Sequence, residues 1–171
     1  MTRRHWIASL LAGAPATAHG RRLAGVQTVT GPVAAADVGF TLIHEHLVTD
    51  LRPLPDRRIE DYDREDAVAV CLPHLDALAR AGVRTLVEPT PLHIGRDLEA
   101  LRRLSLASGL RIVGSTGIYG AAEQRFVPEY ARTEPAEALA ERYLAEIEQG
   151  VGPNRIRPGL IKTGVNPRAP L

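Results

Sequence analysis

The sequence predicts an α/β fold in which parallel strands alternate with helices, preceded by a small β-hairpin. Four apolar stretches of strand length are separated by segments whose apolar residues recur every three or four positions. Strands and helices that alternate in this way form parallel sheets with right-handed crossovers. An open sheet and a (β/α)8 barrel both begin with this order, so the pattern alone leaves both architectures open.

A β-hairpin and the first strand of the sheet open the predicted domain. Val26, Thr28 and Thr30 occupy alternate positions in "GVQTVTGPVAAADVG", and Gly31-Pro32 marks the turn of the hairpin. The first strand follows over residues 39–46, "GFTLIHEH". Three later stretches of similar apolar composition are the remaining predicted strands: 83–90, 111–117 and 157–165.

Three amphipathic helices are predicted between these strands. Each helix begins at or directly after a polar N-cap residue, and the first two end before a glycine, which tolerates a left-handed backbone. Their predicted spans are 64–81, 97–108 and 134–150. The predicted N-caps are Asp63, Asp97 and Thr133, the stops are Gly82 and Gly109, and a kink is predicted at Pro73.

The composition is that of a globular domain with no nucleic-acid-binding surface. The 171 residues are enough for one domain with its own core, and 44% hydrophobic and 24% charged content are ordinary values. The net charge is +1 and the basic residues are scattered, so we expect no nucleic-acid partner. With Cys71 as the single cysteine, no disulfide can form within the chain, and its apolar surroundings predict a buried core residue.

Residues 1–24 are a candidate export leader. They combine a basic start, a short apolar run and a small-residue tripeptide that ends at Ala18. The Arg3-Arg4 pair resembles a twin-arginine signal, which would direct the protein to the periplasm. The alternative is an N-terminal extension of a cytoplasmic protein. The apolar run is too short to span a bilayer, so no membrane partner is expected, and residues 25–171 form the predicted domain.

Two histidines, His44 and His46, close the first predicted strand in "FTLIHEHLVTD". Alternation along a strand would direct both side chains to one face, about 7 Å apart, with Glu45 on the other face. Two imidazoles on one face can converge on zinc, cobalt, iron or manganese. The signal is modest by itself, and the alternative is two solvated histidines at a strand end.

Lys162 lies in the apolar stretch "GLIKTG", near the carboxyl end of the fourth predicted strand. Because a buried lysine is costly, its side chain either reaches solvent or pairs with a carboxylate, or burial lowers its pKa so that the neutral amine can react. Reaction with carbon dioxide would give a carbamate whose two oxygens can bridge two metal ions.

Four blocks of the sequence resemble successive segments of the phosphotriesterase family of the amidohydrolase superfamily. They are "GPVAAADVGFTLIHEHLVTD", "TLVEPTPLHIGRD", "IVGSTGIYG" and "RPGLIKTG", in this order. The resemblance runs from about Gly25 to the end. It implies a TIM-type (β/α)8 barrel of which this chain would supply the N-terminal half, about four β/α units, with the active site at the carboxyl ends of the strands.

The resemblance also implies a binuclear site that holds two divalent metal ions, with zinc first and cobalt, manganese or iron as alternatives. His44 and His46 match metal ligands of the family, and Lys162 matches the lysine that is carboxylated to N6-carboxylysine and bridges the two ions. Tyr119 matches a residue that lines the substrate pocket. A tyrosine there is more similar to the lactonase branch than to the enzymes that degrade paraoxon.

The implied activity is hydrolysis of a small-molecule ester, lactone or phosphotriester by a metal-bridged hydroxide, in a full-length form that is a homodimer. The family's two further histidines and its strand-eight aspartate have no counterpart in this sequence. No catalytic residue can therefore be assigned, and we expect a fragment that is inactive alone. The alternative is a non-catalytic half-barrel that binds metal weakly or assembles with a partner. His93 is predicted to pack in a loop or face solvent.

Overall fold

The computed structural model describes residues 25–52 and 62–166. The candidate export leader lies outside these residues, so its assignment stays a prediction. No helix in the described part of the chain has both the length and the apolar character needed to cross a membrane.

Six strands, four α-helices and a short 3-10 helix (Ala35–Asp37) make up the described fold. The strands are β1 (Gly25–Thr28), β2 (Gly31–Ala34), β3 (Thr41–Leu42), β4 (Thr85–Glu88), β5 (Arg111–Thr116) and β6 (Leu160–Ile161). The helices are α1 (Arg64–Arg80), α2 (Leu98–Ser108), α3 (Tyr130–Thr133) and α4 (Ala136–Gln149). Strands β1 and β2 pair antiparallel, which confirms the hairpin. The other four strands are parallel, in the order β3–β4–β5–β6, which confirms the predicted sheet.

Polar caps and glycines define helices α1 and α2 where the sequence predicted them. The Asp63 and Asp97 carboxylates each accept two backbone N–H bonds in the first turn. Gly82 follows α1 with a φ of 97°, and Gly109 ends α2 with a φ of 74°, both in the left-handed region. Helix α1 continues through Pro73, and the kink at that residue stays a prediction.

The start predicted for the last helix, which corresponds to α4, is wrong. Thr133 is the last residue of the short helix α3 and does not cap α4; its hydroxyl donates to the Glu129 carbonyl at 3.1 Å. Glu134 has an extended backbone with a ψ of 147°, and Pro135 occupies the N-cap position of α4. The reason is steric, because the residue before a proline is disfavoured in the helical region.

The first strand of the sheet is also shorter than predicted. β3 covers only residues 41–42, and the backbone bends at Ile43 and His44, so that both histidines lie past the strand. Pairing resumes at Glu45, whose N–H donates to the Val87 carbonyl at 3.0 Å. The directions of the imidazoles are therefore set by this bend and not by simple alternation. β4 and β6 are likewise shorter than their predicted spans.

The core lies between the parallel sheet and helices α1 and α2. Leu86 and Ile112 are paired in register on neighbouring strands and are fully buried. Val29 joins the hairpin to the sheet, because its N–H donates to the Ile112 carbonyl at 2.8 Å. Cys71 was predicted to be a buried core residue, but it is only half-buried where it packs against this core. The buried leucines contributed by the helices are Leu75, Leu101 and Leu104.

Candidate metal centre

His44 and His46 lie together just past the carboxyl end of β3. Their ring centroids are 5.1 Å apart, and their planes meet at 70° in an edge-to-face arrangement. His44 is exposed, and 37% of the His46 side chain is exposed, so solvent reaches both rings. Two accessible imidazoles at this separation can turn their nitrogens toward one divalent ion.

His46 is connected to two buried residues at the end of β4. Its Nδ1 lies 2.7 Å from the Thr90 hydroxyl oxygen. The Thr90 hydroxyl in turn donates to Glu88 Oε1, which lies 3.7 Å from His46 Nδ1. Glu88 is 1% exposed and Thr90 is fully buried, so a polar chain runs from the solvent-facing imidazole into the protein.

Glu88 is an acidic side chain in a largely apolar environment. Burial raises its pKa to about 7, although the Thr90 hydroxyl and two backbone N–H groups act in the opposite direction. These N–H groups belong to Leu47, 3.3 Å from Oε1, and to Thr90, 3.2 Å from Oε2. The carboxylate thus links the end of β4 to the segment that carries the histidines.

The pKa of His46 is lower than its ordinary value of 6.5. Burial is the largest cause, followed by the positive charges of His44 and Lys162, whereas the Glu45 carboxylate raises the pKa. The imidazole is therefore neutral at neutral pH, which is the form that binds metal ions. Lys162 contributes to this lowering although β3 and β6 are at opposite edges of the sheet.

Lys162 is half-buried and directly follows β6. Its N–H donates to the Thr116 carbonyl at 2.7 Å, at the carboxyl end of β5. The residue that follows that strand, Gly117, has a φ of 111°, and a Cβ atom there would lie 2.1 Å from the Lys162 carbonyl oxygen. The backbone of Lys162 is therefore positioned by direct contact with β5.

Tyr119 lies at the same end of the sheet as Lys162. It forms a parallel bridge with Gly164, and a Cβ atom on that glycine would lie 2.6 Å from Tyr119 Cε2. The Tyr119 ring centroid is 6.0 Å from that of Phe126. These contacts hold the tyrosine ring beside the end of β6, and its role in a substrate pocket stays a prediction.

The other described histidines are separate from this cluster. His93 Nε2 lies 3.0 Å from the Tyr130 hydroxyl, so His93 packs in its loop, as predicted. His74 is exposed on α1. Among residues 25–52 and 62–166, no group of three or more His, Cys, Asp or Glu side chains is placed to hold a metal ion. The candidate centre is defined here as His44, His46 and Lys162, the three residues that the sequence resemblance matched to metal ligands.

Glu88 and Thr90, the pair beside His46, are not among the site residues that the sequence predicted. A signal for them exists in "VEPT". Two polar residues spaced by two at the carboxyl end of a strand share one face, and the neighbouring parallel strand ends beside them. That neighbour is β3, which precedes the histidines.

Comparisons with known proteins agree with this architecture. A sequence model of the phosphotriesterase family matches residues 24–169. The chain is 30% identical over 142 residues to a phosphotriesterase homology protein of Mycobacterium tuberculosis, covering 80% of this chain and 44% of that protein. It is 26% identical over 130 residues to an aryldialkylphosphatase of Saccharolobus solfataricus, covering 76% and 40%.

Solved structures give the same result. The organophosphorus hydrolase from Deinococcus radiodurans has 35% sequence identity and a TM-score of 0.68, covering 80% of this chain and 42% of that chain. This match confirms the predicted fold class, a partial β/α barrel preceded by a hairpin. The chain spans less than half the length of these relatives.

Proposed function

Because this chain belongs to the phosphotriesterase family, we propose that it supplies part of the metal centre of a hydrolase that acts on small-molecule esters, lactones or phosphotriesters. The observation that carries the proposal is the pairing of His44 and His46, with ring centroids 5.1 Å apart, beyond the carboxyl end of β3. Active sites of β/α barrels lie at this end of the strands. Lys162, at the same end of β6, is the third proposed ligand.

The donor set suits divalent metal ions such as zinc, cobalt, manganese or iron. His46 is neutral at neutral pH because its pKa is lowered, and neutral imidazole binds all four metals. We propose that the neutral Lys162 amine forms an N–C bond with carbon dioxide and releases one proton, which leaves a carbamate with two oxygen donors. When bound, metal ions lower the pKa of water and polarise the oxygen of the bond to be cleaved.

Tyr119 is the proposed contact with substrate. Gly164 and Phe126 hold its ring at the end of the sheet that carries Lys162. A tyrosine at this position resembles the lactonase branch of the family, so we propose lactones ahead of phosphotriesters as substrates.

Metal binding by the 171-residue chain tests the proposal. The protein is prepared with bicarbonate and titrated with zinc or cobalt, alongside His44→Ala, His46→Ala and Lys162→Ala. We expect each substitution to weaken binding by more than the roughly 10- to 100-fold seen when groups outside the ligand shell are changed. The matched control is His74→Ala, which removes an exposed histidine on α1 and should leave the affinity unchanged.

Two results would contradict this assignment. One is a wild-type chain that binds no more metal than the Lys162→Ala variant. The other is binding by wild type that does not depend on bicarbonate, which would remove the carbamate from the proposal. We also expect well under two metal ions per chain and little turnover of lactone or phosphotriester, because three ligand residues are too few for two ions. Two ions per chain with rapid turnover would show that the chain is active alone.

A non-catalytic half-barrel that pairs with a partner is the second candidate. The observation that favours it is a set of exposed apolar side chains beside the edge strands β3 and β6. Their exposed fractions are 63% for Phe40, 77% for Ile43, 56% for Ile161 and 59% for Val165. Light scattering during size-exclusion chromatography separates the candidates, because this one requires association even when no metal binds.

A further inference from the structure

We propose that Glu88 and Thr90 are positioning residues that hold His46 in a single tautomer, with Nδ1 protonated and Nε2 free to bind a metal ion. The role of Nε2 as a ligand rests on the proposed function. The tautomer itself does not, because it follows from hydrogen bonds within the chain and can be measured without metal.

The hydrogen bonds that link His46, Thr90 and Glu88 all run in one direction, from the imidazole to the carboxylate. Thr90 has one hydroxyl proton, and it is donated to Glu88 Oε1. His46 Nδ1 lies 2.7 Å from the same hydroxyl oxygen. An ionised Glu88 can only accept, so the single Thr90 proton is then used on Glu88 and Nδ1 of His46 must be the donor to the Thr90 oxygen; a neutral imidazole protonated on Nδ1 carries its lone pair on Nε2.

The surroundings of Glu88 make it an acceptor. Leu47 donates a backbone N–H to Oε1 at 3.3 Å, and Thr90 donates its own N–H to Oε2 at 3.2 Å. Together with the Thr90 hydroxyl, these groups direct three protons at the carboxylate, which favours Glu88 as the final acceptor of the hydrogen bonds that begin at His46. Glu88 is 1% exposed and Thr90 is fully buried, so water does not readily replace either contact.

His44 provides an internal comparison. Its imidazole contacts His46 edge to face. It makes no side-chain hydrogen bond to another described residue, in contrast to the bond between His46 and Thr90. A change at Thr90 should therefore alter the tautomer of His46 and leave that of His44 as it was.

The consequence for metal binding is selective presentation of one nitrogen. An imidazole protonated on Nε2 would present an N–H group to the ion and would have to move its proton before it could bind. Hydrogen-bonded groups that fix the orientation and tautomer of a ligand histidine are worth about 10- to 100-fold in metal affinity.

Nitrogen-15 NMR of the histidine side chains in the metal-free 171-residue chain tests the tautomer directly. At a pH above the Glu88 pKa of about 7, where Glu88 is ionised, we expect wild-type His46 to show a protonated Nδ1 and an unprotonated Nε2. Thr90→Val keeps the side-chain shape and removes the hydroxyl, and it should shift His46 toward the Nε2-protonated form. Thr90→Ser keeps the hydroxyl and should retain the wild-type tautomer. A wild-type His46 protonated on Nε2 overturns the inference without any variant.

Zinc titration of the same three proteins separates this inference from the proposed function. We expect Thr90→Val to bind zinc about 10- to 100-fold more weakly than wild type, with Thr90→Ser close to wild type. If wild type has the expected tautomer and binds no zinc, the role of Glu88 and Thr90 in fixing the tautomer is supported and the proposed function fails. If wild type binds zinc and Thr90→Val, confirmed as folded by circular dichroism, changes neither tautomer nor affinity, the inference is overturned.

Discussion

Arg96 and Glu146 form a two-armed ion pair between the segment that precedes α2 and the helix α4. Nη1 of the arginine lies 2.5 Å from Oε2 of the glutamate, and Nη2 lies 2.9 Å from Oε1. Nη1 also donates to the Ser115 carbonyl at 3.1 Å, on β5. The arginine side chain is 4% exposed and the glutamate 25%. The pair therefore joins α4 to the strand and loop beneath it.

Arg96→Met should destabilise the fold substantially. The substitution keeps most of the buried apolar volume but leaves Glu146 and the Ser115 carbonyl without their charged partner. We expect a loss of about 2–4 kcal/mol in the free energy of unfolding, because removing one member of a buried pair leaves an uncompensated charge. Urea denaturation followed by circular dichroism measures the loss.

The matched control is Arg142→Met. Arg142 also forms a two-armed pair, with Glu134 at 2.7 and 2.5 Å, but more than half of its side chain is exposed. Exposed pairs contribute little to stability, because water screens the charges, so this variant should remain close to wild type. Equal losses in the two variants would mean that burial does not determine the strength of the Arg96 pair.

The sequence predicted those parts of the fold that depend on neighbouring residues. Asp63 and Asp97 cap their helices within three positions of their own place in the chain, and Gly109 ends α2 by its own backbone conformation. The alternation of strands and helices also predicted the parallel order of the sheet. The start of α4 was wrong because the conformational effect of Pro135 outweighed the capping tendency of Thr133.

Contacts between distant residues could not be predicted in the same way. Arg96 and Glu146 are 50 positions apart, and His46 and Thr90 are 44 apart. The His-x-His spacing predicted two imidazoles on one face of a continuous strand, but the structure bends at Ile43 and His44, and local composition did not predict that bend. The motif "VEPT" places Glu88 and Thr90 on one face at the end of a strand, but their contact with His46 follows only from the pairing of β3 with β4.

Asp97 should make the fold sensitive to acid. Its Oδ1 accepts the N–H groups of Glu99 and Ala100, and its Oδ2 accepts bonds from the Tyr62 hydroxyl and from Arg64 Nε at 2.7 Å. Burial raises the pKa of Asp97, but these hydrogen bonds and the Arg64 charge outweigh it, so the pKa lies below its ordinary 3.8. The carboxylate therefore stabilises the folded state above about pH 4, and this stability is lost as the pH falls through 3.8 toward the folded pKa.

Two substitutions separate the charge of Asp97 from its capping role. Asp97→Asn can still cap α2 but does not titrate, so we expect its stability to depend less on pH below about 5 than that of wild type. Asp97→Ala loses the cap as well and should be less stable than the asparagine variant by about 1 kcal/mol at pH 7. Urea midpoints measured between pH 3 and 7 give both quantities. An asparagine variant as acid-sensitive as wild type would assign the effect to other carboxylates.

Gly117 should be required for the position of Lys162. Its φ of 111° is strained for any other residue, and an added Cβ would lie 2.1 Å from the Lys162 carbonyl oxygen. Since that oxygen belongs to the backbone, Gly117→Ala must displace the end of β6 together with the proposed ligand. Gly109 offers a matched control, because its φ is 74° and nothing lies within 4 Å of an added Cβ.

Both alanine variants should lose about 1 kcal/mol of unfolding free energy from the left-handed backbone, and Gly117→Ala should lose roughly a further 1–3 kcal/mol from the steric conflict.

The more specific expectation concerns zinc affinity. Gly109→Ala should bind zinc with wild-type affinity, whereas Gly117→Ala should bind it more weakly at temperatures where both variants are folded, because only its substitution moves Lys162. Urea denaturation and zinc titration of both proteins provide the comparison. Equal zinc affinities, together with the extra loss of stability in Gly117→Ala, would mean that Lys162 can shift with β6 and is not a ligand.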